Sequence, residues 1–398
     1  MKTFVRAQGI IDGTGRGYAA GHGLLLEEDR ILAAGPEAEW SGQADQVVDL
    51  SDTVLIPGFV DAHSHITIRP WEGDQHGQLQ GPAVWQALRG VANLRRDLCS
   101  GVTTMRVMAE EFDIDVHFKA AVARGDVPGP RLRIAGRGLS PTHGHGASLQ
   151  GVDGSDALRR AVRENLRRGA DHIKIFATGG VSSTDTAVDT CNYTREEIRA
   201  VVDEAHRNGR KVAAHAHGGL GVDWCAEEGV DSIEHGALLT PENVERMRRH
   251  GTWLVVTQTI LFHPHGIEGG DGNRPAIMEK VRAARGRAEA SFALALEAGI
   301  RFAVGTDSMH GHFADELDWL VAHGVSPEAA LVAGTRHGAE VMGIDHDIGT
   351  LQPGRRADFV ALLGNPLEDF GSIHRVAVVF QDGRLVVDRD GRVHPKGN

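Results

Sequence analysis

Eight short apolar runs, each trailed by a segment of helical periodicity, restrict the middle of this chain to few architectures. The runs lie at residues 54–62, 102–108, 131–135, 172–177, 211–214, 232–234, 253–257 and 301–305. Apolar runs of this length read as buried strands rather than half-exposed ones. Helical patterns follow at 157–168, 195–208, 241–250 and 278–298. Thr194-Arg195-Glu196-Glu197 and Thr240-Pro241-Glu242-Asn243 are helix starts, with a Thr cap and an early acid or Pro. Strand–helix units repeated in this way predict an α/β fold, a (β/α)8 TIM barrel over 53–352.

The two ends differ from the middle. Residues 1–52 read as short strands with glycine turns, and 353–398 match that style. Asp382-Gly383 between alternating runs signals a hairpin. The simplest arrangement pairs the ends into one small β-sandwich domain, 1–52 plus 353–398, with the barrel inserted between them.

Composition excludes several function classes. A net charge of −12 with no basic run argues against nucleic acid, which needs clustered Lys and Arg. Cys99, Cys191 and Cys225 form no CxxC pair, so neither a disulfide framework nor a thiolate zinc site is indicated. The first residues lack an apolar leader core, and no run approaches the length of a membrane span. A cytoplasmic protein is expected, without membrane partners, as a homo-oligomer.

In a (β/α)8 barrel, chemistry gathers at the C-terminal ends of the strands. Strand one ends in His63-Ser64-His65, whose imidazoles two residues apart point the same way. Strand four carries Lys174 in an apolar run, where an unpaired ammonium is expensive. Strand five ends in His215-Ala216-His217, strand six in Glu234-His235, and strand eight in Gly305-Thr306-Asp307. Each has a bland reading alone, as a hydrogen-bonded core His or a salt-bridged Lys. Together they point to a metal centre. Imidazole and carboxylate suit Zn²⁺, with octahedral-leaning metals also open. An ammonium has no lone pair to ligate. If the neutral Lys174 amine adds CO₂, the resulting carbamate can bridge two cations about 3.5–4 Å apart, with a bridging hydroxide as nucleophile.

His63-Ser64-His65, Lys174 within Ile-Lys-Ile-Phe-Ala-Thr-Gly-Gly, His215, His235 and Gly305-Thr306-Asp307 resemble the amidohydrolase superfamily. The nearest likeness is to the imidazolonepropionase-related branch that contains metal-dependent Xaa-Pro dipeptidases (prolidases) and ochratoxin-type amidases. The resemblance runs over nearly the whole chain, including the Gly349-to-Asp358 stretch. It implies that His63, His65 and Asp307 hold one divalent ion and His215 and His235 another, with N6-carboxylated Lys174 as bridge. It implies Asp307 as proton shuttle. Spacing in the family selects His215 over His217 as ligand, and makes His217 a substrate-side residue. Pro141-Thr142-His143-Gly144-His145-Gly146 resembles a Gly-Gly-His-Gly loop, whose histidine aligns with His145 and touches the substrate carboxylate. His143 stands where that loop has a glycine. His143 and Tyr193, the latter on the barrel-top segment 181–193, are further candidate contacts.

The implied reaction is hydrolysis of a dipeptide, Xaa-Pro-like, or of an N-acyl amino acid; the implied partner is a small molecule with an amide bond and a carboxylate. The alternative is a deaminase or cyclic-amide hydrolase, imidazolonepropionase-like, against which Lys174 counts. A non-catalytic assembly protein conflicts with the complete ligand set. His263, His265, His310 and His312 read as loop residues near the mouth, and Trp85 as a packing residue.

Overall fold

The computed structural model describes residues 1–146, 151–184 and 186–393. Five strands open the chain: β1 (Lys2–Ile11), β2 (Tyr18–Ala20), β3 (His22–Glu27), β4 (Arg30–Pro36) and β5 (Gln46–Pro57). The strands of the middle are β6 (Phe59–Ser64), β7 (Val102–Val107), β8 (Arg131–Ile134), β9 (Ile173–Phe176), β10 (Val212–Ala216), β11 (Ser232–His235), β12 (Trp253–Val256) and β13 (Phe302–Val304). β14 (Phe359–Leu362), β15 (Val376–Gln381) and β16 (Arg384–Asp388) follow.

Both ends do meet, in one eight-stranded sheet. Its order is β16-β15-β14-β5-β1-β3-β4, with β2 on β1. The physical reason lies in β5. One of its edges runs parallel to β1 and the other pairs antiparallel with β14, so the C-terminal strands extend the same ladder. Val5, Leu24, Leu55, Phe359 and Val378 lie in its apolar core. Phe359 and Phe380, directly opposite in register, stack at 4.6 Å. Asp382 and Gly383 form the expected hairpin, at φ 51° and 70°, between the paired Gln381 and Arg384.

The apolar run 54–62 is two strands, not one. Pro57 pairs with Phe359 in the end sheet, while Phe59 pairs with Val102 in the next sheet. Gly58 is the crossing point, and it has no room for a side chain, since a Cβ there would lie 2.1 Å from the Thr103 hydroxyl oxygen. Continuous hydrophobicity hides this break, since both halves are buried.

All eight middle strands are present, but among the described residues their ladders do not close into a barrel. They form a three-stranded sheet, β6-β7-β8, and a five-stranded one, β13-β12-β11-β10-β9. β8 and β13 are too short to pair across the gaps, and the residues after them make the contact instead. Leu139 N donates to Lys174 O at 2.8 Å and Phe176 N donates to Leu139 O at 2.8 Å. At the other seam Asp307 N donates to His63 O at 2.8 Å. Both seams therefore pass through site-bearing strand ends.

The predicted helix starts hold. Thr194 and Thr240 cap the helices Arg195–Arg207 and Pro241–His250 with complete capping boxes, each worth about 1 kcal/mol. The helix expected over 278–298 begins earlier, at Pro275, which suits a first helical turn. No described helix is long and apolar enough to cross a membrane.

Candidate metal centre and substrate pocket

The strand ends bring His63, His65, Lys174, His215, His217, His235 and Asp307 to the lining of one pocket, and the segment after β8 adds His145. The turn out of each strand sets the aim of these side chains. His235 has φ 75°, Asp307 48° and Ser308 74°. Left-handed backbone at a residue with a Cβ costs on the order of 1–3 kcal/mol, and such strain concentrates at functional positions.

His63, His65 and Asp307 each offer one ligand atom, all within 4.8 Å of one another. Asp307 Oδ1 lies 3.4 Å from His63 Nε2 and 3.6 Å from His65 Nε2. Both rings are oriented from behind. His63 Nδ1 donates to Glu234 Oε2 at 2.7 Å, and His65 Nδ1 donates to the Ala109 carbonyl at 2.8 Å. Each Nε2 lone pair is thereby left facing inward, the usual arrangement behind a ligating imidazole. His235 is tied through Nδ1 to Thr257 Oγ1 at 2.7 Å, and His215 Nε2 donates to Gly179 O at 3.0 Å. The His215 and His235 rings are 4.6 Å apart, and His63 and His235 4.7 Å.

Lys174 is fully buried, and its Nζ has no hydrogen-bond partner among the described residues. Burial pushes its ammonium down to about 8, against the charges of Glu234 and Asp307. A buried amine that sheds its proton more readily than usual, and that has no hydrogen-bond partner among the described residues, fits a group open to carboxylation. Burial likewise lowers His65 and His217 to about 4, and His145, His215 and His235 well below the ordinary imidazole value. A nest of neutral imidazoles is the donor set a borderline cation requires. Burial opposes ionisation of Asp307, but the neighbouring His63, His65 and Lys174 hold its carboxyl below the usual range.

Sequence reasoning missed the groups behind the cluster. Glu234 is fully buried, and burial alone would raise its carboxyl. The Arg106 guanidinium and the His63 hydrogen bond instead bring it to about 2. Arg106 Nη2 reaches both Glu234 oxygens, at 2.9 and 3.1 Å, and Ser232 Oγ donates to Oε1 at 2.5 Å. Asp61 accepts from Thr306 Oγ1 at 2.6 Å and from the His63 N–H at 3.0 Å, joining strand one to strand eight. The signal was available: Asp61, Arg106 and Glu234 are charged residues inside apolar runs, as Lys174 is.

On the substrate side, both His217 ring nitrogens and His145 Nδ1 are buried without a protein partner among the described residues. Apolar side chains from Ile68, Leu79, Phe176, Ile260, Leu261 and Ile267 complete the walls. Val181 and Ser182 place the start of the expected barrel-top segment at the pocket. Two expected contacts do not reach it. His143 is exposed and outside the lining, because the turn that buries His145 points its neighbour outward. Tyr193 is buried in the main core, and its hydroxyl donates to Val152 O at 2.9 Å. Trp85, expected to pack, is 64% exposed.

A model described as the Amidohydrolase family matches residues 54–386. Ochratoxinase of Aspergillus niger is 30% identical over 413 aligned residues, covering 93% of this chain and 84% of its own. A crystal structure of a Xaa-Pro dipeptidase with methionine bound in the active site matches with a TM-score of 0.88 and 28% identity, over 97% of this chain and 99% of that one. A prolidase complexed with N-methylphosphonate-L-proline matches with a TM-score of 0.89 and 28% identity, over 98% and 100%.

Proposed function

The chain belongs to the amidohydrolase family and is a hydrolase of C–N amide bonds; from that premise we propose that it frees an amino acid from a Xaa-Pro-like dipeptide or an N-acyl amino acid. The family is generally metal-dependent, and the strand-end cluster would hold two divalent ions, Zn²⁺ being the best match to its donors. His63, His65 and Asp307 would take one ion, and His215 and His235 the other. Lys174 would serve both as its carbamate: the amine lone pair forms an N–C bond to CO₂ and the nitrogen loses a proton. The observation that carries this reading is Lys174, an amine buried among neutral imidazoles with no hydrogen-bond partner among the described residues. A deaminase or imidazolonepropionase-like ring hydrolase that works with a single ion would give that amine no task.

When bound, such ions lower the pKa of water and polarise a scissile carbonyl. The protein's own part follows from its groups. Asp307 directs Oδ1 at His63 and His65, which leaves Oδ2 to take a proton and pass it to the departing amine nitrogen. His217 and His145 present unpartnered ring nitrogens to the substrate carbonyl and carboxylate. The apolar walls seat the substrate's side chains and exclude water. Residues 53–352 would form the catalytic unit, and 1–52 with 353–398 its supporting domain.

The test is product analysis on dipeptides, N-acyl amino acids and ring amides, with zinc and bicarbonate supplied. A free amino acid as product is the expected result. Ammonia, or ring opening without amino-acid release, would overturn the reading.

A further inference from the structure

A second group of histidines lies outside the pocket lining. His263 and His265 follow the short helix Thr259–Phe262, and His312 directly precedes the helix Phe313–Ala322. One ring nitrogen from each lies within 4.8 Å of the other two. The His263 ring is 4.5 Å from that of His312 and 5.2 Å from that of His265. We propose that His263, His265 and His312 form a separate, peripheral binding site for a borderline divalent cation such as Zn²⁺, Cu²⁺ or Ni²⁺.

The arrangement beyond mere proximity supports this. His312 Nδ1 donates to Asp315 Oδ2 at 2.7 Å, which fixes its tautomer and leaves the Nε2 lone pair free. That carboxylate–imidazole pairing is the usual support behind a metal ligand. The His263-Pro264-His265 turn brings two rings to one side, closed by Gly266 N donating to His263 O at 2.8 Å. His263 and His312 are half-buried and His265 is exposed. Such side chains can close the triangle to the N···N separations that metal–nitrogen bonds of about 2.0–2.1 Å require, by shifts of the ring nitrogens on the order of 1 Å. His263 must then give up the hydrogen bond its Nδ1 accepts from the His265 N–H, because ligation through Nδ1 takes that lone pair and ligation through Nε2 puts the proton on Nδ1. Three imidazoles select a borderline cation over Mg²⁺ or Ca²⁺, which prefer oxygen, and leave a coordination position for water.

The ion would act as a cross-tie. The segment bearing His263 and His265 also carries Ile260, Leu261 and Ile267 of the pocket wall. The helix behind His312 already grips that segment from inside, where Glu316 accepts from Gln258 N at 2.9 Å and Thr259 N at 2.7 Å. A metal on the three histidines fastens the same two elements from outside.

The experiment is a Zn²⁺ titration of the metal-loaded enzyme, counting bound ions and recording Tm, for wild type, His265→Ala and His312→Ala. Wild type should bind one ion more than either variant under the same conditions, with the variants weaker by at least about tenfold. Added zinc should raise Tm in wild type alone, and turnover without added zinc should be unchanged in His265→Ala. No difference in ion count, or an extra ion held equally well by both variants, overturns the proposal. The difference from the variants reads this site even if the strand-end cluster binds no metal.

Discussion

The end sheet and the strand-end cluster are buried to a similar depth and held on opposite terms. In the sheet, apolar side chains meet across a ladder that stays paired through its register shifts, and Asp382 and Gly383 take left-handed backbone at a turn that requires it. In the cluster, left-handed backbone falls on His235, Asp307 and Ser308, and Lys174, His145 and His217 bury nitrogens without described partners. Acids around the cluster are also displaced: burial raises Asp61 to about 7, and Glu110 and Glu316 to about 8. The sheet lowers the free energy of the fold, and the cluster spends part of that gain on holding reactive groups in place. A sheet residue should therefore be exchangeable at a cost in stability alone. A cluster residue should be exchangeable at a cost in activity, with stability moving either way.

The largest expected effect sharpens that contrast. Lys174→Met should lower turnover by about a thousandfold or more, on the order of 4 kcal/mol at 1.36 kcal/mol per decade. The same variant, stripped of metal, should unfold at an equal or higher urea concentration, because an unpartnered buried amine is replaced by a thioether of similar length. Retained turnover, or a less stable apoprotein, would break the comparison. Next comes Phe359→Ala in the sheet, which should cost about 3–5 kcal/mol of stability by urea unfolding. Turnover per folded molecule should not change. A matching fall in kcat would show instead that β5 positions the site through Gly58 and β6. Third, Glu234→Gln should weaken metal binding by about 10–100-fold in a chelator competition, since His63 loses its orienting carboxylate. Unchanged affinity would remove Glu234 from the support of the centre.

How much of this was legible in the sequence follows from the same contrast. The strand-end residues stood out because a polar residue at the end of an apolar run is conspicuous, and His63, His65, Lys174, His215, His235 and Asp307 do meet. Thr194 and Thr240 were legible because capping is a local matter of three residues. The break at Gly58 was not, since hydrophobicity does not change where the chain passes from one sheet to another. Nor was the merging of the ends into one sheet, which depends on β5 offering both edges. The open seams depend on how far β8 and β13 run, and strand ends are read poorly from apolar runs. Arg106 and Glu234 were passed over because their partners, Glu234 for one and His63 for the other, lie far off in sequence. His143 and Tyr193 fall outside the lining, the first on the exposed side of its turn and the second drawn into the core by packing that no local pattern shows.

The smallest effect concerns Glu316, the buried carboxyl that grips the pocket-wall segment. Burial raises it to about 8, outweighing the donors at Thr259 and Gln258. In the unfolded chain it titrates at about 4.3. Below that value both states hold the proton and pH has no effect through this group. Between the two values the folded state keeps a proton that the unfolded state has released. Stability through Glu316 is thus fully present at acid pH and is lost as pH rises toward about 8. The slope is on the order of 1 kcal/mol per pH unit. Glu316→Gln cannot titrate, so the Tm difference between wild type and variant should shift in the variant's favour from about pH 6 to about pH 8. A difference independent of pH would mean that the carboxyl is ionised across that range, and that its three donors from Gln258 and Thr259 outweigh burial. The wall segment would then be held by a charge, and the cluster's surroundings would resemble a salt-bridged network more than a set of protonated acids.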